Sequence, residues 1–176
     1  MKKIIKYIPN TLSIIRILLI PFILIFTIQN NMKLAIILTI IAAISDTLDG
    51  RIARRFNVVS KLGTKLDVIA DKLFAGILII SLIIKFKIFI ICLIGELLIT
   101  IINVISYFKN LNPKTEYIGK IKATALYITI IIGFISTLNN SFKILIIPFI
   151  IITAILQIWS IVTYINILYN NKKNKH

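Results

Sequence analysis

Apolar runs of membrane-crossing length fill this chain, and short polar breaks divide them into six segments, at 8–30, 33–52, 62–84, 87–108, 119–139 and 142–169. Each is close to the ~20 residues an α-helix needs to cross the hydrocarbon of a bilayer. Asn30 and Asn31 end the first segment, Lys85 to Lys87 part the third from the fourth, and Asn139 to Ser141 part the fifth from the sixth. The pattern predicts an all-α integral membrane protein, a bundle of six transmembrane helices. Lys2, Lys3 and Lys6 precede the first segment as they would in a secretory signal. No small-residue cleavage site follows it, and Arg16 interrupts its start, so it is read as a retained span.

Composition agrees with the pattern. Apolar residues make up 59% of the 176 residues, charged residues 15%, and the mean hydropathy is +0.99. A soluble domain is less apolar and more charged, and a disordered chain is far less hydrophobic. The formal charge of +15 is placed as a membrane protein places it, so nucleic acid is not the expected partner. Six spans put both termini on one side. Lys33, Lys85, Lys87 and Lys143 are the only four of the 21 lysines and arginines on the other. Positive charge collects on the cytoplasmic face, so both termini are predicted to be cytoplasmic in a multi-pass protein of the cell membrane. The Lys172–Lys175 tail then meets anionic lipid. Cys92 is the sole cysteine and His176 the sole histidine, which leaves no disulfide and no Cys/His zinc site. There is no internal repeat and no dividing linker, and residues 1–176 are read as one domain.

The acidic residues are few and gathered. Asp46, Asp49, Asp67 and Asp71 fall within 26 residues at the junction of spans two and three, and only Glu96 and Glu116 lie elsewhere. In helices, the i,i+3 pair Asp46/Asp49 shares one face, and so does the i,i+4 pair Asp67/Asp71. The short connection from about Arg55 to Lys61 makes the two helices antiparallel neighbours. Both pairs are then expected at one depth, just below the cytoplasmic surface. Four carboxylates in a poorly hydrated place need a counter-charge. A hard divalent cation such as Mg2+ or Mn2+ satisfies several oxygens and keeps positions for phosphate. Gly50 permits close backbone approach, Ala53 keeps the helix face narrow, Arg54 offers a fork for phosphate oxygens, and Gly63 lets the third helix pack closely. A lone Asp near a helix end is usually a cap or a solvated anchor. Four on two facing helices, with Gly, Ala and Arg at fixed offsets, point to a site.

The run D-x2-D-G-x2-A-R-x8-G-x3-D-x3-D is complete from Asp46 to Asp71, and it resembles the signature of the CDP-alcohol phosphatidyltransferase family. Chain length, six spans and placement of the motif across spans two and three extend the likeness. The resemblance implies transfer of a phosphatidyl group from CDP-diacylglycerol to an alcohol with release of CMP, at a site on the cytoplasmic side between spans two and three. It implies divalent metal held by Asp46, Asp49 and Asp67, with Asp71 as general base that also touches a second ion. It places Asn10, Gly50, Arg54 and Ser60 at the CDP moiety, and it suggests a homodimer. Pro9-Asn10 followed by Arg16 resembles the start of the bacterial branch that uses sn-glycerol 3-phosphate and makes phosphatidylglycerophosphate. Gly119-Lys120-Ile121-Lys122 resembles that branch's basic segment. Ala123 departs from its usual Thr, and Val68 from its frequent Pro. Serine, an inositol phosphate or another alcohol is the alternative acceptor. A cation transporter is the reading from another class, but its site belongs near mid-membrane, whereas these aspartates cluster toward one face beside Arg and Lys.

Weaker features carry two readings each. Lys120 and Lys122 suit either an acceptor phosphate or cytoplasmic anchoring, and Arg55, Lys61 and Lys65 chiefly the latter. Glu96, beside Gly95 in span four, is either a polar contact between helices or a secondary part of the site. Trp159, Tyr164 and Tyr169 read as core or interfacial aromatics.

Overall fold

The structure, a computed structural model, describes residues 8–55, 61–108 and 116–173, with side chains placed for 14–45, 69–106 and 117–169. The described residues form six α-helices and no strand: α1 (Ile8–Ile28), α2 (Met32–Arg55), α3 (Lys61–Lys85), α4 (Ile90–Phe108), α5 (Glu116–Leu138) and α6 (Lys143–Lys173). Single 3₁₀ turns, Lys87–Phe89 and Asn140–Phe142, lead into α4 and α6. These helices follow the six apolar runs closely. The largest departure is α6, whose helix continues past the apolar run through Asn170 and Asn171 to Lys173. Among the described residues, Lys87–Ser106, Tyr117–Leu138 and Asn140–Tyr169 are long and apolar enough to cross a membrane, and Ile14–Ile28 and Met32–Ser45 are shorter apolar helices.

Contacts along the chain group it into two units, Met1–Ile84 and Lys85–His176. In the first, α1 and α2 form a helical hairpin. Asn30 adopts φ 60°, the left-handed conformation that ends many helices. Its N–H donates to Thr27 O at 3.1 Å and that of Asn31 to Phe26 O at 2.8 Å, so both capping bonds of a Schellman turn are made. Asn31 then caps α2: its side-chain oxygen accepts from Leu34 N at 3.4 Å. One Asn closes a helix and the next opens another, which is why so short a link suffices. The inward face of α1 carries Arg16, Ile20, Ile23 and Thr27, and that of α2 carries Met32, Ala35 and Ala42. Small side chains there allow close approach of the backbones.

In the second unit α6 packs against both α4 and α5. Its seam with α5 is polar: Thr129 and Thr153 hydroxyls lie 2.7 Å apart, and Thr129 also donates to Ala125 O at 2.9 Å. Among the described residues, polar groups share the interior with apolar ones, and many large apolar side chains face outward. Arg16, Lys122, Gln157 and several Ser and Thr are buried, while Ile, Leu and Phe are exposed along every helix. That surface is stable in lipid, where an apolar exterior costs nothing and polar groups must be satisfied within the protein. The protein is a membrane protein.

Candidate active site

The acidic pattern lies on regular helix. The α2 backbone is unbroken from Asp46 through Arg54, and α3 carries Gly63, Asp67 and Asp71. The predicted i,i+3 and i,i+4 spacings are therefore realised on helical backbone. Asn10, Asp46, Asp49, Gly50, Arg54 and Asp67 are described in backbone only, and Ser60 lies outside the described residues. The expected convergence of the four carboxylates likewise concerns three side chains outside the described set, those of Asp46, Asp49 and Asp67.

Asp71 is described in full, and it has a partner that the spacing does not announce. Arg16 Nη1, from α1, donates to Asp71 Oδ1 at 2.6 Å. The arginine side chain is fully buried, while that of Asp71 is 47% exposed. Arg16 is the only charged residue of α1. A lone charge in an apolar helix is costly unless paired, and that was the available signal for a role beyond its place after Pro9-Asn10.

In the second unit a polar cluster joins three helices. Lys122 Nζ of α5 donates to Glu96 Oε1 of α4 at 2.6 Å, with both side chains largely buried. Gln157 Nε2 of α6 donates to the same Glu96 oxygen at 3.3 Å and to the backbone oxygen of Cys92 at 3.1 Å. Gln157 itself is buried. Glu96 is thus a polar contact between helices. Of the two lysines considered for an acceptor phosphate, Lys120 is exposed and Lys122 is the one engaged with Glu96. Gln157 was not foreseen; its signal was an amide within a long apolar run.

The donor set fits a hard divalent cation. Asp71 and the three aspartates of its pattern offer only carboxylate oxygens, the ligands that Mg2+ and Mn2+ prefer over thiolate or imidazole. Among the described residues no three His, Cys, Asp or Glu side chains are gathered, and three of the four aspartates fall outside that set.

The profile of CDP-alcohol phosphatidyltransferases matches residues 6–166, nearly the whole chain. The chain belongs to that family. Its relatives include a protein of Rickettsia felis named CDP-diacylglycerol–glycerol-3-phosphate 3-phosphatidyltransferase, 46% identical over 83 residues, which are 46% of this chain and 46% of that protein. One of the same name from Haemophilus influenzae is 29% identical over 171 residues, covering 91% of this chain and 92% of its own length. Human cardiolipin synthase (CMP-forming) is 42% identical over 76 residues, 43% of this chain and 25% of that one. The chain thus spans about half the length of the rickettsial relatives it matches.

Proposed function

We propose that this chain is a six-span, divalent-metal-dependent enzyme of phospholipid synthesis. It transfers the phosphatidyl group of CDP-diacylglycerol to sn-glycerol 3-phosphate, giving phosphatidylglycerophosphate and CMP. The observation that carries this reading is the unbroken Asp46–Asp71 pattern inside a family match that spans residues 6–166. The acceptor follows the names of the rickettsial and Haemophilus relatives. In this reading the site faces the cytoplasm between α2 and α3, both termini are cytoplasmic, and the working form is a homodimer.

Asp46, Asp49, Asp67 and Asp71 would hold Mg2+ or Mn2+, which when bound supplies charge neutralisation at the pyrophosphate and at the departing CMP. Arg54, a planar fork for phosphate oxygens, binds the CDP moiety together with Asn10 and Ser60, and Gly50 lets the backbone come close to it. Asp71 takes the proton of the acceptor's hydroxyl onto its carboxylate as that oxygen approaches phosphorus. A new oxygen–phosphorus bond forms to the phosphatidyl phosphorus. The bond from that phosphorus to the bridging oxygen breaks, and its electron pair leaves with CMP. Positioning and charge stabilisation carry such transfers, and no covalent enzyme intermediate is needed.

The likeness to a cardiolipin synthase favours a second reading within the same chemistry, with a phosphatidyl-bearing alcohol as acceptor. One assay separates the two: purified protein, labelled CDP-diacylglycerol and a panel of acceptors, with CMP release measured for each. Release with sn-glycerol 3-phosphate supports the first reading. Release with phosphatidylglycerol alone supports the second, and release with none of the acceptors removes both.

A further inference from the structure

We infer that Arg16 is a positioning residue for Asp71: its buried guanidinium holds one oxygen of the carboxylate that receives the acceptor's proton. The inference rests on the function proposed above and adds to it a residue from a different helix.

The argument begins with cost. Arg16 lies eight residues after the start of α1, and every other side chain of that helix is uncharged. An unpaired guanidinium there is strongly unfavourable. The chain keeps it fully buried, on the same inward face as Ile20, Ile23 and Thr27. Its charge is met by Asp71 through Nη1 and Oδ1 at 2.6 Å, the short distance of a charge-assisted bond.

The two ends of that bond are not alike. The donor's side chain is fully buried, whereas the acceptor's is nearly half exposed. A clasp that served only to join α1 to α3 would gain from burying both ends. Here the fixed end is inside and the accessible end belongs to the carboxylate with a chemical role. A base acts only within hydrogen-bond reach of the proton it removes. Holding one carboxylate oxygen by a rigid planar donor restricts the swing of the group about its terminal torsion, which is otherwise broad. A lysine at position 16 keeps the charge but not the planar fork, and a methionine keeps only the approximate bulk.

The test uses full-length wild type, R16K and R16M in mixed micelles. CDP-diacylglycerol binding stoichiometry counts competent sites, and CMP release with sn-glycerol 3-phosphate gives turnover per competent site. Positioning predicts that R16K retains its binding sites and its KM for CDP-diacylglycerol within about threefold, while turnover per site falls roughly 10- to 100-fold, the scale of a sub-ångström to ångström misplacement. R16M falls further, so that lysine is a partial rescue. Unchanged turnover per site in R16K overturns the inference. So does a loss of binding sites with normal turnover in those that remain, because that is the signature of a purely structural bond. Absence of CMP release by the wild type with every acceptor is a different result: it overturns the proposed function, and this inference with it.

Discussion

The place that a side chain would take at Gly95 is occupied by Gln157. A Cβ built on residue 95 would collide with Gln157 Oε1 and stand 2.5 Å from its Cδ. The amide sits against the α4 backbone because nothing projects there, and this is what lets it reach both Cys92 O and Glu96 Oε1. An amide at the end of a side chain can usually move aside. This one is buried and holds two acceptors, so moving it costs hydrogen bonds.

Gly95→Ala is therefore expected to destabilise the protein by about 1–3 kcal/mol, the cost of buried polar groups losing partners. Gly76→Ala is the matched control, since a Cβ there meets nothing within 4 Å. It should be neutral or stabilising by up to about 1 kcal/mol through helix propensity. Thermal unfolding in detergent distinguishes them; equal melting temperatures for the two variants would show that the amide's position is unimportant.

The Glu96–Lys122 pair predicts non-additivity. Removing one partner leaves a buried charge, so Glu96→Leu or Lys122→Met alone should cost about 3–5 kcal/mol. The double variant should be less damaged than the sum of the two. Denaturant unfolding of the four proteins measures the coupling, and strict additivity would mean that the two groups do not interact.

For the proposed chemistry, Asp71→Asn is expected to lower CMP release by about 10²–10⁴-fold, the usual contribution of a general base, with CDP-diacylglycerol still bound. Asp49→Ala should instead weaken nucleotide and metal binding together. Titration calorimetry alongside the activity assay separates the two patterns. Near-normal turnover in the Asp71 variant would remove its role as base.

Metal removal offers an independent check. Incubation with a chelator should stop CMP release, and Mg2+ or Mn2+ added in excess should restore it, as carboxylate-only sites bind these ions reversibly. Full activity in the chelator would contradict the role given to the aspartates.

Helices and family were readable from the chain for one reason: both are written in local patterns. An apolar helix is a run of residues legible along the chain, so α1 to α6 lie almost where the hydropathy places them, and among the described residues three of them are long and apolar enough to cross a membrane. The Asp46–Asp71 pattern is a spacing along two helices and needs no packing to be seen. The Asn30–Asn31 link was visible as a break, while its division into a closing cap and an opening cap required backbone geometry.

What only the tertiary structure decided is which buried polar group meets which. Arg16 and Asp71 are 55 residues apart, and Gln157 and Glu96 are 61 apart. Each partnership depends on the rotation of one helix about its axis against another, and a rotation by a single residue would turn either side chain away. Chain order carries the length and period of a helix. Its azimuth is set by packing, where small residues such as Gly95 leave space and a buried charge must find its counterpart.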